Sequence, residues 1–119
     1  FMKPFGFLDY IKLQENSYCV LSDSGSITEE SSILNFPALN LRDSNERPEG
    51  FEEAAVMMSG LNISDVSSAL NILQGQPRNR KRLLKVIDDY NVDNVSEKIV
   101  RIICSYTHKI NRDIWKKNN

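Results

Sequence analysis

The chain has 119 residues, of which 40% are hydrophobic and 26% are charged, and its formal net charge is −1. This length and composition indicate one compact domain with a packed core and argue against wholesale disorder. No apolar run approaches the roughly 18–20 residues that span a bilayer, and no secretory signal is visible, so we expect a cytoplasmic protein with no membrane partner.

Helices and strands are predicted to alternate along the first half of the chain. Apolar residues recur at helical spacing over 7–16, and the next apolar run, rich in strand formers, stops at a cluster of turn residues. Ser26 and Glu29 stand at the spacing of a capping box. In chain order we predict a helix over 7–16, a strand over 18–21, a helix over 27–34, a strand over 38–41, a charged loop over 42–53 and a strand over 56–58.

The last third of the chain is predicted to be helical. Helical spacing indicates helices over 63–74 and 80–88, and a long one that begins near Asn94 and carries an apolar stripe from Val95 to Ile114. Short strands between helices predict an α/β fold with a parallel sheet flanked by helices. Three strands are few for a doubly wound domain, which suggests the back half of something larger.

Charge and cysteines limit the function classes. Residues 1–77 carry 4 Lys and Arg against 11 Asp and Glu, whereas residues 78–119 carry 11 against 5. The basic run at 78–82 is either a nucleic-acid patch or the solvated face of a helix, and no aromatic residue interleaves it, so we expect no nucleic-acid partner. Cys19 and Cys104 match neither a disulfide framework nor a zinc site, and we expect both to be buried thiols.

The turn after the first predicted strand is the most informative chemical feature. It reads Asp23-Ser24-Gly25-Ser26, at the carboxyl end of a strand, where open parallel sheets bind ligands. Unpaired amides at the start of the next helix, together with serine hydroxyls, would make a phosphate site. The alternative is a simple helix cap, and the turn alone does not decide between them.

Two further segments add to this turn. Glu29 and Glu30 follow within the first turn or so of the helix, where one can cap it and the other suits a pair of ribose hydroxyls. Arg47 lies just beyond the next strand, at the same edge of the predicted sheet. Its fork of donors either pairs with a pyrophosphate or forms a salt bridge that only stiffens the loop.

The run DSGSITEESSILNFPALNLRDSNERPEG, residues 23–50, resembles the non-hydrolysing UDP-N-acetylglucosamine 2-epimerases. The family pattern is close to D-S-G-G-x-x-E-E, a small apolar helix, G-x-P, a short strand and R-x-x-T-E-R-P-E. The resemblance extends back to Lys3 and forward to Gly60, and residues 3–41 look especially like the capsular polysaccharide branch. The chain departs from the pattern at Ser26, where many members have Gly, and at Asn45, where Thr is commoner.

The resemblance implies the C-terminal, UDP-binding half of a GT-B-like (UDP-glycosyltransferase/glycogen phosphorylase-like) enzyme. Its sheet would be a partial Rossmann-like one, with a nucleotide-binding α/β part over 1–77 and C-terminal helices over 78–119. The carry-over of site residues places Ser24, Gly25 and Ser26 in the diphosphate-binding turn, Glu30 on the ribose hydroxyls, Arg47 facing the nucleotide-sugar as a diphosphate stabiliser, and Tyr10 near the uracil.

The family reaction inverts C2 of a UDP-N-acetyl sugar by eliminating UDP and adding it back across a 2-acetamidoglucal. The resemblance therefore implies an isomerase that acts on UDP-N-acetylglucosamine or a capsular UDP-N-acetyl-L-sugar, for capsule or cell-surface polysaccharide precursors. The acid–base carboxylates and the functional histidine of the family precede Phe1, and His108 is not that histidine. We expect the chain alone to be inactive and expect no cofactor or metal.

The resemblance also implies partners. We expect a UDP-sugar substrate and the N-terminal domain of the same enzyme, with a homodimer as a further possibility. In GT-B folds the terminal helix often crosses back to the N-terminal domain, so the stripe on the last helix is either partly exposed here or packed on its own sheet. Two other functions stay open: the nucleotide-sugar domain of a GT-B glycosyltransferase, against which the E-R-P-E block argues, and a non-catalytic nucleotide-binding module.

Overall fold

The computed structural model describes residues 1–44 and 46–117, so Asn45 of the predicted loop lies outside the described residues. Within that part, the strands form a parallel sheet in the order β1-β2-β3. In chain order the elements are α1 (Phe7–Asn16), β1 (Val20–Ser22), α2 (Ile27–Leu34), β2 (Ala38–Asn40), α3 (Pro48–Glu52), β3 (Met57–Met58), α4 (Ile63–Leu73), a 3-10 helix (Asp88–Tyr90) and α5 (Val95–Asp113).

The middle strand β2 lies between two helices. Parallel pairing sets Val20 beside Ala38 and Leu39 beside Met57. Because successive side chains of a strand point to opposite faces, Ala38 joins a core cluster with α2, and Leu39 joins another with α4. Both faces of the sheet are therefore covered in this region, which is the usual condition of a parallel sheet.

Local signals account for the ends of the helices. The bounds predicted for α1 and α2 match those of the structure, and α4 ends one residue early. Asn35 ends α2 in the left-handed region with φ 58°, which asparagine tolerates better than most residues. The side-chain amide nitrogen of Asn35 donates to the carbonyls of Asn79 at 2.8 Å and Lys81 at 2.9 Å, and these bonds tie the chain after α4 to the end of α2.

Two predictions in the first half of the chain are wrong. Ser26 does not cap α2, because its backbone is already helical and its hydroxyl donates to the side chain of Glu30 instead of accepting from a helix amide. Glu29 does not complete a capping box, because it pairs with Arg47. The charged loop also contains α3, which begins at Pro48, whose fixed φ suits a first helical turn.

The helix predicted over 80–88 is absent, and the basic run has a structural role that the sequence pattern did not indicate. Arg82 donates to the carbonyls of Ser32 at 2.8 Å and Ile33 at 2.6 Å. Arg78 likewise donates to two carbonyls just after α1. Because these guanidinium groups bind main-chain oxygens of other elements, the segment follows the body of the domain as bends and does not coil on itself.

The last helix does not pack on the sheet. None of the residues of α5 is buried, and Ile102 and Ile103 of its apolar stripe are each 58% exposed. Both faces of the sheet are already occupied by α2 and α4, so the described residues offer the stripe no partner. The same position leaves Cys104 exposed, which corrects the prediction of a buried thiol, whereas Cys19 is half-buried. No described helix is both long and apolar enough to cross a membrane.

Candidate functional site

The turn between β1 and α2 presents unpaired amides at a helix start. The Ser24 amide donates to the Ser22 hydroxyl at 3.0 Å, and the Ser24 and Ser26 hydroxyls share a hydrogen bond of 3.1 Å. Among the described residues, the amides of Gly25, Ser26 and Ile27 have no acceptor. Unpaired amides at the positive end of a helix dipole are a ready site for an anion.

Glu30 connects this turn to α1. One carboxylate oxygen accepts from the Ser26 hydroxyl at 2.8 Å, and the other accepts from the side-chain amide of Gln14. Beside it, α1 and α2 enclose a mainly apolar cavity of about 330 Å³, with Tyr10 and Glu30 in its wall. The structure therefore brings an aromatic ring and a carboxylate together from helices 20 positions apart in the chain.

Arg47 lies beside Gly25 of the turn. Its Nε donates to Glu29 at 2.7 Å, and its Nη2 lies 3.9 Å from the position that a Cβ on Gly25 would occupy. The hydrogen bond to Glu29 raises the pKa of Arg47. This salt bridge joins the start of α3 to α2, so it does more than stiffen its own loop, and it sets a guanidinium beside the unpaired amides.

A second pair, Tyr90 and Glu49, supports the start of α3. The Tyr90 hydroxyl donates to Glu49 at 2.7 Å. That hydrogen bond lowers the pKa of Glu49, while burial and then the same bond raise the pKa of Tyr90. Glu49 belongs to the segment that holds Arg47, so a residue of the 3-10 helix braces the arginine-bearing segment.

The structure brings the six residues predicted for the site next to one another. Tyr10 and Glu30 line the apolar cavity, Ser24, Gly25 and Ser26 form the turn, and Arg47 flanks it. His108 lies apart from them, exposed on α5. The described residues contain no group of three His, Cys, Asp or Glu side chains able to hold a metal ion.

Sequence reasoning missed Gln14 and Tyr90. Gln14 was hidden because its contact with Glu30 joins residues 16 positions apart, and Tyr90 because its contact with Glu49 joins residues 41 apart. The sequence feature that could have pointed to Gln14 is a polar residue on the buried face of the predicted helix α1. Taken together, the site offers amide and guanidinium donors for a diphosphate, a carboxylate for vicinal hydroxyls, and an apolar pocket with an aromatic ring for a planar base.

Comparison with known proteins decides the family. A family model described as UDP-N-acetylglucosamine 2-epimerase matches residues 1–104. The chain belongs to the UDP-N-acetylglucosamine 2-epimerase family. The resemblance seen in residues 23–50 is thus confirmed, and so is the α/β class, since the similar solved structures are epimerases of GT-B-like fold with which this partial parallel sheet superposes.

Several epimerases of this family are similar to the chain. The UDP-N-acetylglucosamine 2-epimerase of Methanocaldococcus jannaschii is 34% identical over 86% of this chain and 26% of its own length. That of Neisseria meningitidis serogroup A is 30% identical over 86% of this chain and 27% of its own length. The chain therefore spans about a quarter of the length of these epimerases.

Solved structures of epimerases are also similar to this chain. The UDP-N-acetylglucosamine 2-epimerase of Rickettsia bellii matches with a TM-score of 0.88 and 48% identity, over 98% of this chain and 32% of that one. The Methanocaldococcus jannaschii enzyme in complex with UDP-GlcNAc and UDP matches with a TM-score of 0.74 and 34% identity, over 87% of this chain and 27% of that one.

Proposed function

We propose that this chain is the UDP-binding part of an epimerase that inverts C2 of a UDP-N-acetyl sugar. The observation that carries the proposal is the convergence of the unpaired amides at Gly25 and Ser26, the Glu30 carboxylate and the Arg47 guanidinium at one sheet edge, in a chain of this family. The Methanocaldococcus jannaschii epimerase, whose structure was solved with UDP-GlcNAc and UDP, supports a UDP-sugar as the ligand.

Each part of the site has a distinct task in the proposal. The amides of Gly25, Ser26 and Ile27 donate to the diphosphate, because they lie unpaired at a helix N-terminus, and the Ser24 hydroxyl holds the turn by donating to the Ser26 hydroxyl. The Glu30 carboxylate accepts from the two ribose hydroxyls, and the uracil ring lies in the cavity beside Tyr10. Arg47 supplies a fixed positive charge next to the diphosphate.

The proposed reaction needs the positive charge of Arg47 during the elimination step. The bond between C1 of the sugar and the diphosphate oxygen breaks as the proton on C2 is removed, which leaves a 2-acetamidoglucal and UDP. UDP then adds back after C2 is protonated on the opposite face. Donors aimed at the departing diphosphate stabilise the charge that develops on it, and Arg47 with the turn amides fills this role. The groups that move the C2 proton lie outside this chain.

The proposal extends to partners and setting. We place the rest of the same enzyme, and a second copy of it, as the partners, because the chain spans about a quarter of the curated epimerases and α5 exposes a groove of about 380 Å³ lined by Ile102, Tyr106 and Trp115. Two unpaired thiols suit the cytoplasm. The resemblance to the capsular branch supports a role in cell-surface polysaccharide precursors, with either UDP-N-acetylglucosamine or a capsular UDP-N-acetyl-L-sugar as the substrate.

Calorimetric titration with UDP tests the proposal on the wild-type chain, Glu30→Ala and Arg47→Ala. Loss of a charge-assisted hydrogen bond costs about 1.5–3 kcal/mol, so each variant should bind UDP roughly 10- to 100-fold more weakly. Arg112→Ala is the matched control, because Arg112 pairs with Asp113 at 2.7 Å at the exposed end of α5, and this variant should bind UDP with unchanged affinity. Equal affinities in all four proteins would refute the placement of UDP at this edge.

A further inference from the structure

The carboxylate of Glu30 is held by donors on both of its oxygens. The Ser26 hydroxyl donates to Oε1 at 2.8 Å, and the Gln14 amide donates to Oε2. The Ser26 hydroxyl also shares a hydrogen bond with that of Ser24, which ties the arrangement to the turn. A glutamate side chain has three rotatable bonds, and two fixed donors from different elements restrict it to one orientation.

Gln14 is a polar residue at a buried position. It is 2% exposed, and its Oε1 is buried with no hydrogen-bond partner among the described residues. Turning the amide over would set Oε1 against the carboxylate, so the orientation with the nitrogen toward Glu30 is the favourable one. An apolar side chain of the same size would bury no unsatisfied acceptor of its own but would take the donor from Glu30, so glutamine at this position serves the Glu30 carboxylate.

We propose that Gln14 and Ser26 are positioning residues that aim the Glu30 carboxylate at the vicinal hydroxyls of a ribose, and so set a preference for ribonucleotides over 2′-deoxyribonucleotides. The inference rests on the proposed function, in which Glu30 binds the ribose. Each carboxylate oxygen has two lone-pair sites. With one site on each oxygen filled by a protein donor, one acceptor site remains on each, which matches the two vicinal hydroxyls of a ribose, of which a 2′-deoxyribose keeps only one.

The test compares the dissociation constants of UDP and 2′-deoxy-UDP by calorimetry. In the wild-type chain we expect 2′-deoxy-UDP to bind about tenfold or more weakly, because one charge-assisted hydrogen bond is lost. Glu30→Ala should lower that ratio to near one. Gln14→Met and Ser26→Ala should each lower it about threefold or more, since the carboxylate then samples orientations that do not reach both hydroxyls. Gln74→Met, at an exposed glutamine just after α4, should keep the wild-type ratio.

Two additional readouts separate positioning from a structural role. Gln14→Met removes both a buried unsatisfied acceptor and the donor to Glu30, two changes that act on stability in opposite directions, so its Tm should stay close to that of the wild type while the ribose preference falls. Affinity for inorganic pyrophosphate should be the same in the wild type, Gln14→Met and Ser26→Ala, because the turn amides remain in all three.

The outcomes distinguish this inference from the proposed function. If Glu30→Ala keeps the wild-type ratio, or the wild-type chain does not distinguish the two nucleotides, the ribose assignment fails and this inference fails with it. If Glu30→Ala removes the preference but Gln14→Met and Ser26→Ala retain it in full, the proposed function stands and the positioning roles are refuted. A fall in pyrophosphate affinity that matches the fall in UDP affinity would likewise refute them.

Discussion

Gly50 provides the sharpest test of how the segment that carries Arg47 is held. It is buried in α3, where the backbone lies directly against α2. A Cβ at this position would overlap the Cγ2 methyl of Thr28, while Thr28 Cβ at 3.5 Å and Ile87 Cδ1 at 3.7 Å would be in ordinary contact. Gly50→Ala therefore creates one specific clash, between the new methyl and a single atom of Thr28.

The size of the effect follows from how little the surroundings can move. Thr28 is 1% exposed and Ile87 is 2% exposed, and a β-branched side chain on a helix has little choice of rotamer. Forcing a methyl into such a site costs about 2–3 kcal/mol. For 119 residues the unfolding entropy is about 0.25 kcal/mol per kelvin, so the Tm should fall by about 8–12 °C.

Thermal unfolding followed by circular dichroism measures this effect, and two variants control it. Gly50→Ala combined with Thr28→Ser should recover most of the lost stability, because serine lacks the clashing methyl. Gly75→Ala should not lower the stability and should raise it by at most about 1 kcal/mol, because a Cβ there would approach nothing closer than the Ile72 carbonyl oxygen at 4.0 Å. A Tm of Gly50→Ala within 2 °C of the wild type would refute the close approach of α3 to α2, as would a double variant no more stable than the single one.

Three further predictions concern other contacts of the domain. Arg82→Ala should lower the stability by about 1–2 kcal/mol in a denaturant titration, because two carbonyls at the end of α2 lose their donor. Burial raises the pKa of Cys19, so Cys104, which is exposed, should react with a thiol reagent about tenfold faster, and equal rates would contradict the placement of α5. The hydrogen bond from Tyr90 lowers the pKa of Glu49. The stability that this bond contributes is therefore present above the unfolded-state pKa of about 4.3 and is lost as the pH falls through the pKa of Glu49 in the folded state. The difference in Tm between the wild type and Tyr90→Phe should therefore be largest near neutral pH and narrow on acidification, and a constant difference would contradict the bond.

Much of the fold was predictable because its signals are local. The helical spacing in residues 7–16 and the turn residues around Gly25 specify α1 and the start of α2 within a few positions of the chain. Asn35 and Pro48 mark a helix end and a helix start through their own backbone preferences. The turn and the arginine segment were also predictable as site components, because each follows a strand of the same parallel sheet.

The contacts that complete the site were not predictable from the sequence pattern. Gln14 meets Glu30, and Tyr90 meets Glu49, only after distant elements pack, and periodicity records which face is apolar without naming the partner across it. The basic run at 78–82 shows the same limit, since charge spacing suits a solvated helix as well as it suits guanidinium groups that bind carbonyls of other elements.

The sequence by itself determined the α/β order of elements, the phosphate-type turn and the family to which the chain belongs, because these depend on residues close together in the chain. Only the tertiary structure decided that Glu29 takes Arg47 and leaves Glu30 for the turn, and that α5 keeps its apolar stripe exposed. The physical reason is that each of these side chains has several possible partners. Packing across the core selects among them, because it brings together groups that lie far apart in the sequence.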